Sequence, residues 1–144
     1  PDLWASPEAS AEHYADVLSA HATPEDYSDV PRFDVVLLGI GPDGHVASLF
    51  PQHRSLRVTD RSTAAVHGSP KPPPTRVTLT LPAINAASDV WVLASGTEKA
   101  EAVRLALDPG AEPLQVPAAG VAGRDRTLFL IDEEAAARLP LDLG

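Results

Sequence analysis

A carboxylate and an imidazole stand two residues apart in a glycine-rich turn, at Asp43 and His45. Imidazole titrates near neutral pH, so His45 is a candidate general base. Asp43 could hold the tautomer of His45 and stabilise its protonated form. If the two side chains do not touch, Asp43 could instead orient a substrate or the attacking water. Lys99 is a candidate cation for an anionic substrate, which it would bind as a point charge.

The turn follows an apolar run at 35–38, in which no residue alternates to polar. Such a run predicts a central parallel strand that is buried on both faces. We expect a short helix over 45–49, which Pro51 ends. The strand therefore brings Asp43 and His45 to its carboxyl end, where open α/β sheets bind their ligands.

The turn glycines Gly39, Gly41 and Gly44 also have the spacing of the dinucleotide-binding fingerprint. Pro51 argues against that function, because it truncates the helix whose amides would face a pyrophosphate. Asp43 argues against it too, because its charge would repel that group. A plain structural turn with a solvated carboxylate remains an alternative. If the turn is catalytic, its backbone amides are candidates for stabilising an oxyanion.

Lys99 repeats the arrangement of Asp43 and His45, since it follows a predicted strand at 90–94 and a glycine turn. A helix is expected over 98–107, which puts Lys99 in its first turn. Helix N-termini bind phosphate groups, and a lysine there is a plausible part of such a site. An ordinary exposed lysine is the alternative interpretation.

The other elements alternate between strands and helices, which predicts one α/β domain over 1–144 with a mainly parallel sheet. A first helix should begin after Ser6 and end near Ala20. Its buried side is predicted from the spacing of four residues: Ala11, Tyr14, Val17 and Leu18. Further elements are expected at the following ranges: strands at 63–66, 76–80 and 127–131, and helices at 82–87 and 132–139.

Composition narrows the classes of function. The chain has 144 residues and a formal net charge of −9, which argues against nucleic acid as a general partner. A local cluster of cations can still bind a small anion inside a cleft. No apolar run approaches the roughly 20 residues of a membrane span. The sequence has no cysteine, so disulfides and thiolate metal sites are excluded.

Four segments carry a family resemblance. Gly39-x-Gly41-x-Asp43-Gly44-His45-x-x-Ser48-Leu49-Phe50-Pro51 resembles the signature of the 6-phosphogluconolactonases. The order downstream is similar to that family as well, through Pro72-Pro73-x-x-Arg76-Val77-Thr78-Leu79-Thr80-Leu81-Pro82-Ala83-Ile84-Asn85, Ser95-Gly96-x-x-Lys99-Ala100 and Leu130-x-Asp132-x-x-Ala135-Ala136.

The resemblance implies a cytoplasmic enzyme that hydrolyses 6-phospho-D-glucono-1,5-lactone to 6-phosphogluconate in the oxidative pentose phosphate pathway. It implies a Rossmann-like twisted sheet with helices on both faces, as in sugar-phosphate isomerases and deaminases. It also implies no cofactor, no metal and a phosphorylated sugar lactone as the small-molecule partner. Asp43 and His45 would be catalytic, and five residues would bind the substrate or its phosphate: Gly39, Gly41, Gly44, Arg76 and Lys99.

Two alternatives within the same fold stay open, and the first is a sugar-phosphate isomerase or deaminase. Sugar-phosphate deaminases share the Asp-Gly-His turn but carry a glutamate five positions after the histidine, where this chain has Phe50. The absence of that glutamate favours lactone hydrolysis. A non-catalytic sugar-phosphate sensor domain is the second alternative, and it would bind phosphogluconate without turning over a lactone.

The resemblance also predicts several strands and part of the phosphate site before Pro1. We therefore expect residues 1–144 to belong to a longer polypeptide. Expressed alone they should be poorly soluble and inactive, because a sheet edge and an apolar face would be left open.

Overall fold

The computed structural model describes residues 6–26 and 29–140. Its helices and strands follow in chain order: α1 (Pro7–His21), β1 (Val35–Gly39), β2 (Thr63–Val66), β3 (Arg76–Leu79), α2 (Leu81–Asn85), β4 (Asp89–Ala94), α3 (Ala100–Ala106) and β5 (Arg126–Ile131). Four short 3-10 turns lie between them: Pro24–Asp26, Arg54–Arg57, Thr97–Lys99 and Pro117–Gly120.

Three strands form a parallel sheet in the order β1-β4-β5. The inward residues Val90 and Val92 of β4 are fully buried, and Ala102 and Val103 of α3 belong to the same core. Burying each valine side chain contributes about 1.5–3 kcal/mol. Because all three strands run the same way, the segments that follow them meet at one edge. The predicted α/β fold with a parallel sheet is confirmed.

The strands β2 and β3 do not join that sheet. They pair antiparallel with each other, from Thr63 opposite Leu79 to Val66 opposite Arg76. The connection at 67–75 contains no helix that could cross over, and only a crossover would return a strand in parallel. The predicted mainly parallel sheet is therefore formed by β1, β4 and β5, whereas β2 and β3 form a separate antiparallel pair.

The outer face of the parallel sheet is open among the described residues. Leu37, Leu93 and Leu130, one from each strand, are 63, 44 and 43 % exposed. The predicted burial of β1 on both faces is therefore wrong for this chain, and β1 is an edge strand of the described sheet. The expected open apolar face is seen in the described part of the chain.

Helix α1 begins as predicted. The Ser6 hydroxyl accepts a hydrogen bond from the Ala9 amide at 3.1 Å, and Pro7 occupies the first helical position. Its buried side is narrower than expected, because Tyr14 and Val17 are both 39 % exposed. The prediction was wrong for those two residues and right for Ala11 and Leu18.

Two predicted helices are wrong. Residues 45–49 form a tight turn, in which the Leu49 amide bonds the Val46 carbonyl at 2.9 Å and Ala47 has a φ of 50°. Residues 132–139 form successive turns. The Ala136 amide bonds the Asp132 carbonyl four residues back at 3.0 Å, but the next bonds, from Ala137 and Leu139, reach carbonyls three residues back, at 3.3 and 3.0 Å. Neither pattern continues the four-residue bonding of an α-helix.

None of the helices among the described residues is both long and apolar enough to cross a membrane.

Candidate active site

The segment after β1 closes into a loop through its own backbone. The Gly41 amide donates to the His45 carbonyl at 2.9 Å, and the Gly44 amide donates to the Gly41 carbonyl at 2.9 Å. Gly44 has a φ of 88°, which is the left-handed region that favours glycine. The loop therefore turns within a few residues and projects Asp43 and His45 from the carboxyl end of the strand.

Only glycine fits at position 41, because the side chains of His45 and Asp43 lie too close to its Cα for a Cβ atom. A Cβ atom at this position would overlap Nδ1 and Cε1 of the His45 ring and lie 2.8 Å from Asp43 Oδ1. At Gly39 an added Cβ would meet nothing within 4 Å. Of these two glycines, only Gly41 leaves the space that the acid and the imidazole occupy.

Asp43 and His45 are in direct contact. Asp43 Oδ1 lies 2.6 Å from His45 Nδ1 and also accepts the His45 backbone amide at 3.1 Å. A carboxylate only accepts hydrogen bonds, so the ring proton resides on Nδ1 and the lone pair on Nε2. Among the described residues none donates to or accepts from Nε2. This arrangement leaves Nε2 able to accept a proton.

The carboxyl of Asp43 stays ionised in this setting. Partial burial raises its pKa, but the hydrogen bonds from the His45 amide and ring outweigh that effect, and the net pKa lies below the ordinary value of 3.8. The charge is therefore present at neutral pH to stabilise a protonated His45.

Phe50 packs against two of the candidate site residues, His45 and Arg76. Its ring is 1 % exposed, and its centroid lies 4.5 Å from that of His45. The guanidinium carbon of Arg76 lies 5.3 Å from the same ring centroid, within cation–π range. One buried aromatic side chain therefore contacts both the candidate base and one of the candidate cations.

Most of the donors of Arg76 are already engaged. Its Nε donates to the Pro73 carbonyl at 3.1 Å, and its Nη2 donates to the carbonyls of Lys71 and Pro72 at 3.0 Å each. Its Nη1 faces the Ser48 hydroxyl at 3.5 Å. Arg76 thus anchors the proline-rich loop before β3 (residues 69–74), and its Nη1 end is the part nearest to the turn that carries His45.

Lys99 reaches the same end of the sheet from β4. Lys99 was predicted to lie in the first turn of an α-helix, and that prediction is wrong. It ends the 3-10 turn Thr97–Lys99, directly before α3. Its Nζ donates to the Ile40 carbonyl at 2.6 Å. Because Ile40 precedes Gly41, the ammonium lies beside the loop that carries Asp43 and His45.

The loop is held from two sides by contacts with other segments. The Thr78 hydroxyl, in β3, accepts the Ser48 amide at 3.1 Å. On the other side the Ala118 amide donates to the Gly44 carbonyl at 2.9 Å, and an added Cβ at Gly44 would lie 2.9 Å from Val116 Cγ1. These contacts join distant segments and fix the position of the loop.

A family model covers most of this chain. The model for glucosamine-6-phosphate isomerases and 6-phosphogluconolactonases matches residues 2–130. The chain belongs to this family.

Curated and solved proteins agree with that membership. The 6-phosphogluconolactonase of Streptomyces coelicolor is 57 % identical over 136 residues, which are 94 % of this chain and 52 % of that protein. The structure of 6-phosphogluconolactonase from Trypanosoma brucei has a TM-score of 0.76 at 36 % identity, over 90 % of this chain and 52 % of that one. A monomeric glucosamine-6-phosphate deaminase has a TM-score of 0.62 at 25 % identity, over 90 % and 54 %. The chain spans about half the length of the relatives it matches.

In this family member, the structure brings the predicted site residues Asp43, His45, Arg76 and Lys99 to the same end of the sheet, and their roles stay predictions. Sequence reasoning did not predict the contacts that hold them. Phe50 was noted as part of the signature and for the glutamate it replaces, but an aromatic residue within the motif could also have indicated a packing surface. The contact of Thr78 with Ser48 joins residues thirty positions apart, and no local signal indicates it. Among the described residues no group of three or more potential metal ligands of the His, Cys, Asp or Glu type comes together.

The lowered pKa of Asp43 predicts a pH-dependent contribution to stability. A depressed carboxyl pKa stabilises the fold above the ordinary value of 3.8, and that contribution is lost as the pH falls through the lower folded value. The difference in free energy of unfolding between wild type and Asp43→Asn should therefore shrink between about pH 5 and about pH 3. Urea denaturation at each pH measures it, with Asp60→Asn, at an exposed carboxylate, as the control. A difference that stays constant over this range would contradict the prediction.

Proposed function

We propose that the protein carrying this chain hydrolyses 6-phospho-D-glucono-1,5-lactone to 6-phosphogluconate. The observation that carries the proposal is the 2.6 Å contact between Asp43 and His45 Nδ1, which leaves Nε2 as a base at the carboxyl end of β1. Membership of the family and the 57 % identity to a 6-phosphogluconolactonase support the choice of substrate. A lactone is an activated ester, so a base, a charge stabiliser and correct positioning are sufficient.

The proposed reaction uses His45 twice. Its Nε2 removes a proton from water as the water oxygen forms a bond to the lactone carbonyl carbon. The tetrahedral intermediate then collapses, and the bond between that carbon and the ring oxygen breaks. The ring oxygen leaves with the proton that His45 returns. Asp43 stabilises the imidazolium between these two steps and keeps the ring oriented.

Lys99 is the group we assign to the substrate phosphate. Its ammonium lies beside the loop that carries Asp43 and His45 (the catalytic loop, residues 40–49). It is bound there to the Ile40 carbonyl at 2.6 Å, and an ammonium has further N–H donors for a phosphate oxygen. Arg76 can add its Nη1 end to the same phosphate. The remaining donors of Arg76 hold the proline-rich loop.

The glycines have a structural role in this proposal. The amides of Gly41 and Gly44 donate to carbonyls inside the loop, so these donors are engaged before a substrate arrives. Gly39 lies in β1, opposite Leu93 in the register with β4. We therefore assign the three glycines to shaping the turn and not to binding the oxyanion or the phosphate.

Sugar-phosphate deamination is the nearest alternative, since a deaminase shares this fold. At the position where deaminases carry a glutamate this chain has Phe50, whose buried ring packs on His45 and supplies no carboxylate. We therefore propose a lactonase without cofactor or metal, acting in the cytoplasm on a phosphorylated sugar lactone. It uses neither nucleic acid nor a membrane as a partner.

The test of the proposal is a stopped assay of freshly prepared lactone, with and without the full-length protein. Because the lactone also hydrolyses spontaneously, the His45→Ala protein at equal concentration is the matched control. Acid release should be faster with wild type than with either control. Glucosamine 6-phosphate, offered in parallel, should not be turned over. Equal lactone rates in all three samples, or turnover of the amino sugar, would reject the proposal.

Lys99→Ala should weaken catalysis on the phosphorylated lactone and leave gluconolactone without a phosphate nearly unaffected. A charge-assisted hydrogen bond contributes about 1.5–3 kcal/mol, so kcat/KM should fall about ten- to hundred-fold on the first substrate. Lys71→Ala removes the other lysine of this chain and is the matched control. An equal loss on both substrates, or an equal effect of Lys71→Ala, would exclude Lys99 as a phosphate ligand.

Arg76→Ala should affect the two lactones differently from Lys99→Ala in the same assay. It removes the anchor of the proline-rich loop and the cation over Phe50 together with the Nη1 donor. Losses should therefore appear on both substrates, and they should be larger on the phosphorylated one. A loss confined to the phosphorylated lactone would mean that the loop contacts are dispensable.

A further inference from the structure

The carboxyl end of β5 carries an acid that the proposed reaction does not use. Asp132 comes directly after the last residue of β5, at the edge where the segments after β1 and β4 also lie. Its carboxylate oxygens lie 3.1 and 3.2 Å from the Gly96 amide nitrogen, and Oδ1 also accepts the Ala135 amide at 2.8 Å. No lysine or arginine among the described residues forms an ion pair with it. The carboxylate is therefore committed to two backbone amides.

Gly96 is the point at which the chain leaves β4 for Lys99. It has a φ of 92°, which glycine adopts without strain. Because the glycine backbone is conformationally permissive, contacts from elsewhere are needed to fix this turn. The Gly96 carbonyl accepts the Lys99 amide at 3.1 Å, which closes the 3-10 turn Thr97–Lys99. The Asp132 carboxylate thus holds the amide of Gly96, and the carbonyl of the same residue closes the turn that contains Lys99.

The contacts form one continuous series along the edge of the sheet. Asp132 follows β5 and holds Gly96, Gly96 follows β4 and holds the Lys99 backbone, and Lys99 Nζ donates to Ile40 after β1 at 2.6 Å. The series crosses the strands in their spatial order. The lysine side chain is flexible, so fixing the backbone position of Lys99 restricts where its ammonium can lie.

We propose that Asp132 is a positioning residue that holds the Gly96 turn and so places the Lys99 ammonium for the substrate phosphate. This inference rests on the proposed function of Lys99. Asp132 acts through Lys99 and touches no reacting atom. A purely local function, in which Asp132 only caps the turns at 133–139 through Ala135, is the competing explanation.

A double-mutant cycle separates the two explanations. In the full-length protein, Asp132→Ala should raise KM for the phosphorylated lactone about ten-fold, as expected for a lost charge-assisted bond. The value of kcat, and turnover of the unphosphorylated lactone, should change less than about two-fold. In a Lys99→Ala background the same change should have almost no further effect on KM. Asp132→Asn, which keeps one acceptor oxygen, should give a smaller rise.

The control variant is Glu133→Ala, which removes an exposed acid from the same turn segment. An equal rise in KM for this control would show that charge near the site is responsible and would overturn the proposal. The proposal also fails if Asp132→Ala raises KM as strongly in the Lys99→Ala background, or does not change KM in the wild-type background.

A second readout does not depend on turnover. With 13C-labelled lysine, this chain contributes two side-chain signals, from Lys99 and Lys71. Asp132→Ala should increase the mobility of the Lys99 Cε and speed hydrogen exchange at the Gly96 amide, while Lys71 stays unchanged. If wild type hydrolyses no lactone, the proposed function fails, and these signals still decide the role of Asp132. Unchanged Lys99 mobility would overturn that role even in an active enzyme.

Discussion

His45→Ala should lower kcat for the phosphorylated lactone by on the order of 10²–10⁴, the range for a lost general base, with KM nearly unchanged. The reason is geometric, because Asp43 holds the proton on Nδ1 and leaves Nε2 as the base that accepts the proton of water. Alanine removes that base and leaves the loop backbone bonds of Gly41 and Gly44 in place. Initial rates over a range of lactone concentrations, corrected for spontaneous hydrolysis, measure both constants.

His21→Ala is the matched control for that experiment. His21 ends α1 and its ring contacts the Val17 carbonyl of the same helix at 2.8 Å. We expect its kinetic constants to equal those of wild type. A His45→Ala enzyme that keeps more than about half of the wild-type kcat would remove His45 from the mechanism. A rise in KM with kcat unchanged would assign His45 to binding instead.

Gly41→Ala should impair turnover without changing any catalytic side chain. The new methyl group would overlap the His45 ring and lie 2.8 Å from Asp43 Oδ1, so the acid and the imidazole must move apart from their present positions. A displacement of about 1 Å in a catalytic group can reduce the rate by about 10²-fold. Overpacking should also lower the free energy of unfolding by about 1–3 kcal/mol. Steady-state kinetics and urea denaturation measure the two effects.

Gly39→Ala is the control that the same loop supplies. A Cβ at Gly39 would meet nothing within 4 Å, and the backbone amide of the residue is retained. Both kcat and the free energy of unfolding should therefore stay near the wild-type values. If Gly41→Ala also behaves like wild type, the described positions of Asp43 and His45 are not those of the active enzyme. If Gly39→Ala is as damaging as Gly41→Ala, sterics at Gly41 are not the cause.

The sequence alone determined the features that depend on nearby residues. Ser6 and Pro7 begin α1 because a capping hydroxyl and a fixed φ act within one turn. The apolar run at 35–38 formed a parallel strand, and the glycines after it formed the turn that carries Asp43 and His45. The family and the candidate residues were recognisable for the same reason, since the motif is contiguous.

Sequence reasoning was wrong where a segment's conformation depends on distant partners. Local pattern favoured helices at 45–49 and 132–139. In the fold the His45 carbonyl accepts the Gly41 amide, and the amides of Ala137 and Leu139 bond carbonyls three residues back. Both segments became turns. The exposure of Leu37, Leu93 and Leu130 likewise follows from what packs beside the strands, and an apolar pattern cannot specify that partner.

Only the tertiary structure showed which candidate site residues mainly hold a loop in place and which are available to a substrate. From the sequence, Arg76 and Lys99 were both predicted to bind the substrate phosphate. In the fold Arg76 gives three donors to the proline-rich loop, whereas Lys99 reaches Ile40 beside the catalytic loop and is held at its root by Asp132 through Gly96. Sequence spacing constrains contacts within a few residues of each other. Contacts between the ends of neighbouring strands depend on strand order and register, and these are set by the packing of the whole sheet.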